Sequence, residues 1–198
     1  MPIIYSKVSV EPVVEPITLT EAKAHLRVDH TDEDDLIDIL RKGAREVAES
    51  HLNRSLITQS RVIKMDGFPV WELSLTHGPI QSLTSVYYDN DSDVNTLLAS
   101  STYWTDFDSN IARVRNKTSW PSTYDKPNSV QITYVAGYGA SGANVPSPIR
   151  QACLMILGHL YENRQQVIVS GSPTGALEIP FGASVLLNPY VLEQSVIY

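Results

Sequence analysis

The chain has 198 residues, 42% of them apolar, and a formal net charge of -7 from 22 acidic and 15 basic side chains. That apolar share can bury a sizeable core, so wholesale disorder is excluded, and the length fits one ordinary domain. A single cysteine excludes an intrachain disulfide scaffold. The acidic balance argues against a protein whose main work is gripping nucleic-acid phosphates, which takes clustered Lys and Arg.

The opening stretch, MPIIYSKVSVEPVVEP, carries Lys7, Glu11 and Glu15 and lacks a basic start followed by a long apolar run. It does not read as a signal peptide, and residues 1–16 are expected to be a flexible terminus. No run of 18 apolar residues occurs anywhere, so no membrane-spanning helix is expected. Thr18 and Glu21 have capping-box spacing and predict a helix over 18–28, with Leu19, Ala22 and Leu26 on one face. The stretch DHTDE interrupts it. A longer helix follows from about Asp32 to Leu52, where Leu36, Ile37, Ile39, Leu40, Ala44, Val47, Ala48, His51 and Leu52 fall in steps of three and four. Arg41, Lys42, Arg45, Glu46 and Glu49 are expected mostly off that stripe.

From Leu56 to Ala136 the period shifts toward 2. SRVIKM, VWELSL, LTSVYYD, IARVRNK and SVQITYVA are separated by Asp-Gly, His-Gly-Pro, DNDSD, Asp-Ser-Asn and KPNS. This predicts five or six short strands in a mostly antiparallel sheet, because no helical crossover of the kind parallel strands need is present. Helix returns with Ser147 as the expected N-cap and Pro148 in the first helical position. Its apolar set is Ile149, Ala152, Cys153, Met155, Ile156, His159, Leu160 and Val167. VSGSPTGA (169–176) reads as a flexible connector, FGASVLLNPYV as a short terminal helical element and 191–198 as a second flexible terminus. The expected fold is α+β, a single domain over 1–198. Residues 18–55 and 147–190 would form a small helical bundle, with an antiparallel β-rich insertion at about 56–138.

Several stretches invite a chemical reading. GYGASG (137–142) spells the dinucleotide pattern G-x-G-x-x-G and follows a strand. However, Ala143 to Pro146 separate it from the helix, Glu162 lies inside that helix, and no second parallel strand follows. The glycines therefore read as a loop that swings the chain from sheet to bundle. DNDSD (89–93) starts like a calcium loop, but Val94 and Ser100 stand where glycine and glutamate are needed, so it reads as a hairpin turn. Asp32, Glu33, Asp34 and Asp35 open a helix, where negative charge suits the dipole. His159 and Glu162 have i, i+3 spacing, but a di-metal bundle needs the motif twice and more glutamates besides. Cys153 lies in an apolar run and reads as a core residue. No G-x-S-x-G elbow or nucleophile–base arrangement emerges. The sequence thus offers no catalytic, cofactor-binding or metal-binding residues. Arg113, Arg115 and Lys117 alternate along one strand near Trp104 and Trp120, a basic strip suited to a neighbouring subunit or to nucleic acid.

Both ends carry a family resemblance. TLTEAKAHLRVDHTDEDDLIDILRKGAREVAESHLNRSL (18–56), SPIRQACLMILGHLYENRQQV and IPFGASVLLNPY (179–190) resemble the opening and closing segments of head–tail connector (adaptor) proteins of tailed bacteriophages. The match covers about half the chain, and the middle adds only strand content and the YVAGYG exit. The resemblance implies a helical core with a β-rich excursion and no catalysis or cofactor. It implies a virion protein of the head–tail junction, assembled in the bacterial host cytoplasm, in a ring of about twelve copies. That ring would dock under the portal protein, extend the DNA channel and offer a platform for a downstream connector or tail protein, with DNA passing through unbound. Ile3, Ile4, Tyr5, Leu186, Leu187, Tyr190 and Val191 are then candidates for the subunit or portal interface. Arg113, Arg115 and Lys117 become candidates for the channel lining or a subunit contact. The alternatives are another neck or tail-completion protein, or a small hydrolase or metal-dependent enzyme built from scattered residues.

Overall fold

The computed structural model describes residues 5–163 and 179–192, and its fold is α+β. The elements in chain order are β1 (Tyr5–Val10), α1 (Leu19–Leu26), α2 (Asp34–Leu52), β2 (Gln59–Met65), β3 (Glu72–Leu75), β4 (Ile80–Asp89), β5 (Asn95–Leu97), β6 (Tyr103–Asp106), β7 (Ala112–Asn116), β8 (Val130–Ala136), α3 (Ser147–Glu162) and α4 (Phe181–Leu187). The chain, read from sequence as one domain, divides into two compact units. Residues 14–52, 139–163 and 179–191 make a helical unit, and 5–13, 53–138 and 192 make a β unit.

In the helical unit the expected capping box forms. Glu21 N–H donates to Thr18 Oγ1 at 3.2 Å, and Thr18 N–H donates to Glu21 Oε2 at 2.7 Å. α1 stops at Arg27, whose φ of 59° is left-handed and cannot continue a helix. Lys23 Nζ then reaches Asp34 at 2.6 Å and ties α1 to the start of α2. α2 and α3 pack along Ile37, Ala44, Ala48 and Leu52 on one side and Ile149, Ala152, Cys153 and Ile156 on the other. Burial of each large aliphatic side chain contributes about 1.5–3 kcal/mol. The N-cap of α3 is Pro146, so Ser147 is already helical and makes no cap hydrogen bond. Pro146 at the cap and Pro148 in the first turn fix this start through φ, without help from a hydroxyl. The helix ends at Glu162. The expected continuation to Val167 and the connector at 169–176 lie outside the described residues.

Two expectations about α2 and α3 are corrected. Arg45 and Glu49, placed off the stripe, are buried, with Arg45 2% exposed. They are neutralised there, as Arg45 Nη1 donates to Glu49 Oε2 and Arg45 Nε to Glu15 Oε2, both at 2.8 Å. Ile39 of α2 and His159 of α3, placed on the apolar stripes, are exposed, Ile39 at 69%.

The β unit holds two antiparallel sheets. The larger has the order β1-β2-β8-β4-β5 and the smaller β3-β7-β6. Central β8 alternates cleanly, with Val130, Ile132, Tyr134 and Ala136 buried. They join Ile63 and Met65 of β2 and Leu73, Leu75 and Val114 of the smaller sheet in one core. Residues 5–10 fall in the stretch expected to be a flexible terminus. They form β1 instead, pairing Tyr5 with Lys64 and Val8 with Arg61. The reason is that β2 has two hydrogen-bonding edges and β8 fills only one, so the N-terminal segment fills the other.

Candidate interaction surface

The β unit presents an aromatic groove of about 510 Å³. Three separate segments build it: the loop before β3, strand β6, and the stretch running from the end of β7 through residues 117–123. Phe68 and Trp120 stack with ring centroids 4.6 Å apart and planes 4° from parallel, and Tyr88 leans on Phe68 at 5.9 Å. This pair anchors the groove to the core beneath. Above it stand Trp71 and Trp104, 73% and 57% exposed, with exposed Val70 beside them. All three tryptophans of the chain therefore line one groove.

Strand alternation supplies the charge. On β7, Ala112 and Val114 point into the core while Arg113 and Arg115 point out. Register sets Trp104 opposite Arg115 and Asp106 opposite Arg113. Lys117 Nζ lies 5.8 Å from the centre of the Trp104 ring and donates to Ser101 O at 2.7 Å. The basic strip read from sequence is thus divided. Arg113 is neutralised by Asp106 at 2.8 Å and Glu72 at 3.6 Å. Ser109 and then Arg113 pull the Asp106 carboxyl down to about 2. Arg115 and Lys117 line the groove, and no acidic residue does.

The other sequence candidates fall elsewhere. Ile3 and Ile4 lie outside the described residues, as does the Tyr5 side chain, although its backbone starts β1. Leu187 is 0% exposed, so it belongs to its own unit's core and offers nothing to a partner. The cause is periodicity: Ala183 and Leu187, four apart, share the inward face of α4. Leu186, Tyr190 and Val191 are half-buried.

The glycines of GYGASG answer to chain crowding. Gly137 has a φ of +126°, and a Cβ there would lie 2.4 Å from the Ile57 carbonyl. A Cβ on Gly142 would lie 2.4 Å from Pro16 O. A 3-10 turn at Gly142–Asn144 follows, and α3 begins only at Ser147. The DNDSD turn is a hairpin between β4 and β5 that closes on itself. Asn90 Oδ1 accepts from Ser92 N–H and Val94 N–H, and Lys126 Nζ pairs with Asp89 at 3.1 Å and with Asp93. Cys153 is wholly buried, which pushes its thiol up to about 12. Among the described residues no cluster of three His, Cys, Asp or Glu side chains is placed to hold a metal ion. Trp71 and Val70 escaped the sequence reading. The available signal was VW at the mouth of a strand whose own inward positions are Leu73 and Leu75.

A family model for the head completion protein matches residues 15–173. No curated protein sequence matches the chain. Among solved structures, a chain of the neck of an empty gene transfer agent (GTA) particle, computed with C6 symmetry, is similar at TM-score 0.77 and 18% identity. That match covers 98% of this chain and 97% of the other. A chain from the virion of the native GTA particle aligns at 0.74 and 18%, over 96% and 97% of the two chains. One from the neck of the native particle, computed with C12 symmetry, aligns at 0.72 and 19%, over 98% and 97%. These likenesses establish a shared fold across nearly the whole of each chain.

Proposed function

The chain belongs to the head completion protein family, and from that premise we propose that it is a structural head–tail connector working as a closed ring. The observation that carries the reading is the family match over residues 15–173, which takes in segments of both units. Similarity to chains of particle necks, one computed with C12 symmetry, supports a ring of about twelve copies. The ring docks under the portal, extends the DNA channel and carries a downstream connector or tail protein. Half-buried Leu186, Tyr190 and Val191, together with Ile3, Ile4 and Tyr5, serve its subunit or portal contacts.

Charge supports the conduit. With -7 per copy, about twelve copies gather roughly eighty negative charges, which repel DNA phosphates and keep the duplex sliding. The connector has no catalytic step to perform. Its attachment role needs shape, closure and sticky faces, and the aromatic groove is such a face.

Electron microscopy of the purified protein, alone and mixed with portal, tests the reading. Rings seated on the portal are the expected result. Persistent monomers that neither join portal nor enter particles would overturn it.

A further inference from the structure

We propose that the tryptophan groove of one copy receives a second copy of this chain, making it the heterologous contact that closes the ring. The inference rests on the connector reading above and adds to it which surface does the joining.

Ring closure requires one patch of each subunit to meet a different patch of the next. The groove has the makings of an interface centre. Trp71 and Trp104 are exposed apolar anchors, Arg115 stands beside Trp104, and the stacked Phe68–Trp120 pair holds the base rigid. Trp and Arg dominate interface hot spots, and rigid aromatics lose little conformational entropy on docking.

Charge decides the occupant. The groove carries Arg115 and Lys117 and no carboxylate, on a chain whose formal charge is -7. No ion pair within the described residues engages Arg115, whereas Arg113 two positions away is matched by Asp106 and Glu72. An acidic surface with an apolar centre is the complement, and the same chain supplies one. On the outward face of α2, Ile39 is 69% exposed, with exposed Asp35 one turn before it; Asp38, one residue before it, is paired with Arg41. Duplex DNA is a poor occupant, since its bases are already stacked and two cations grip few phosphates.

The test places a photo-crosslinking phenylalanine analogue at position 104 in the full chain and irradiates assembled particles. The expected product is a covalent dimer of this chain, its junction peptide located by mass spectrometry on the outside of a second copy. Arg115→Glu in the same background is expected to cut dimer yield about tenfold, the scale one hot-spot side chain carries. Asp35→Lys introduced with it is expected to restore part of that yield. Cross-links only to another particle protein, or none from particles that contain the chain, would overturn this inference and leave the connector reading standing. Absence of the chain from particles would overturn both.

Discussion

The two units handle polarity differently. The helical unit buries charge: Arg45 sits in its interior between Glu15 and Glu49, each at 2.8 Å, and reaches Glu46 at 3.4 Å. The β unit also buries Arg61, but fills its core with aliphatic residues and Tyr134 and leaves Trp71 and Trp104 in water. A buried ion network that closes on itself asks nothing of a partner, because its desolvation is offset inside the unit. Exposed indole surface has no such internal match, and its stabilisation comes only when something covers it. Buried ion pairing therefore holds the helical unit together, while the two exposed tryptophans lie on the β unit.

The contrast is experimentally separable because every tryptophan lies in the β unit and the lone cysteine in the helical one. Indole fluorescence reports the first, and thiol labelling reports the second. The largest expected effect is from Arg45→Ala, which strands the buried Glu49 carboxylate and the half-buried Glu15 carboxylate. It should cost about 3–5 kcal/mol, read as accelerated Cys153 alkylation in a denaturant series. Adding Glu15→Gln and Glu49→Gln should recover part of the loss, and no recovery would break the account of a self-contained network. Next comes Gly137→Ala in the β unit. Its positive φ and the Ile57 carbonyl in the way predict a loss of about 3 kcal/mol in the fluorescence transition.

A smaller effect is confined to acid pH. Burial, then the neighbouring Arg61 charge, lower His77 to about 4 from an ordinary 6.5. Between those values the unfolded chain binds a proton that the folded chain refuses, so stability is present above pH 6.5 and is lost as pH falls toward 4. His77→Asn suits the residue's φ of 60° and should flatten that part of the profile. An unchanged slope would assign the acid sensitivity elsewhere. The smallest effect sharpens the comparison most. Trp71→Ala should change stability by less than about 0.5 kcal/mol, being a surface residue. Trp120→Ala removes a stacked partner of Phe68 and should cost at least about 1 kcal/mol. A Trp71 variant as destabilised as the Trp120 one would make the groove part of the core and remove the case for a docking face.

Much of this was written locally. The Thr18–Glu21 box, the long α2 stripe, the alternation of β8 and the glycine loop all depend on neighbours within a few positions, where periodicity and capping act. The half of the groove that was legible, Trp104 with Arg115 and Lys117, came from alternation on adjoining segments. Trp71 was not legible with it, because 33 positions separate it from Trp104 and only sheet pairing through β7 joins them.

By itself, then, the sequence determined the helices and the strands β2, β3, β4, β7 and β8, the absence of an intrachain disulfide, and the family. Only the tertiary structure decided that residues 5–10 complete a sheet, that Arg45 is an interior cation, that Leu187 faces inward, and that three distant tryptophans share a wall. The physical reason is the range of the forces involved. Helix period and capping are settled by residues a turn apart, whereas strand register, burial of charge and exposure of an aromatic face depend on which remote segment arrives to cover them.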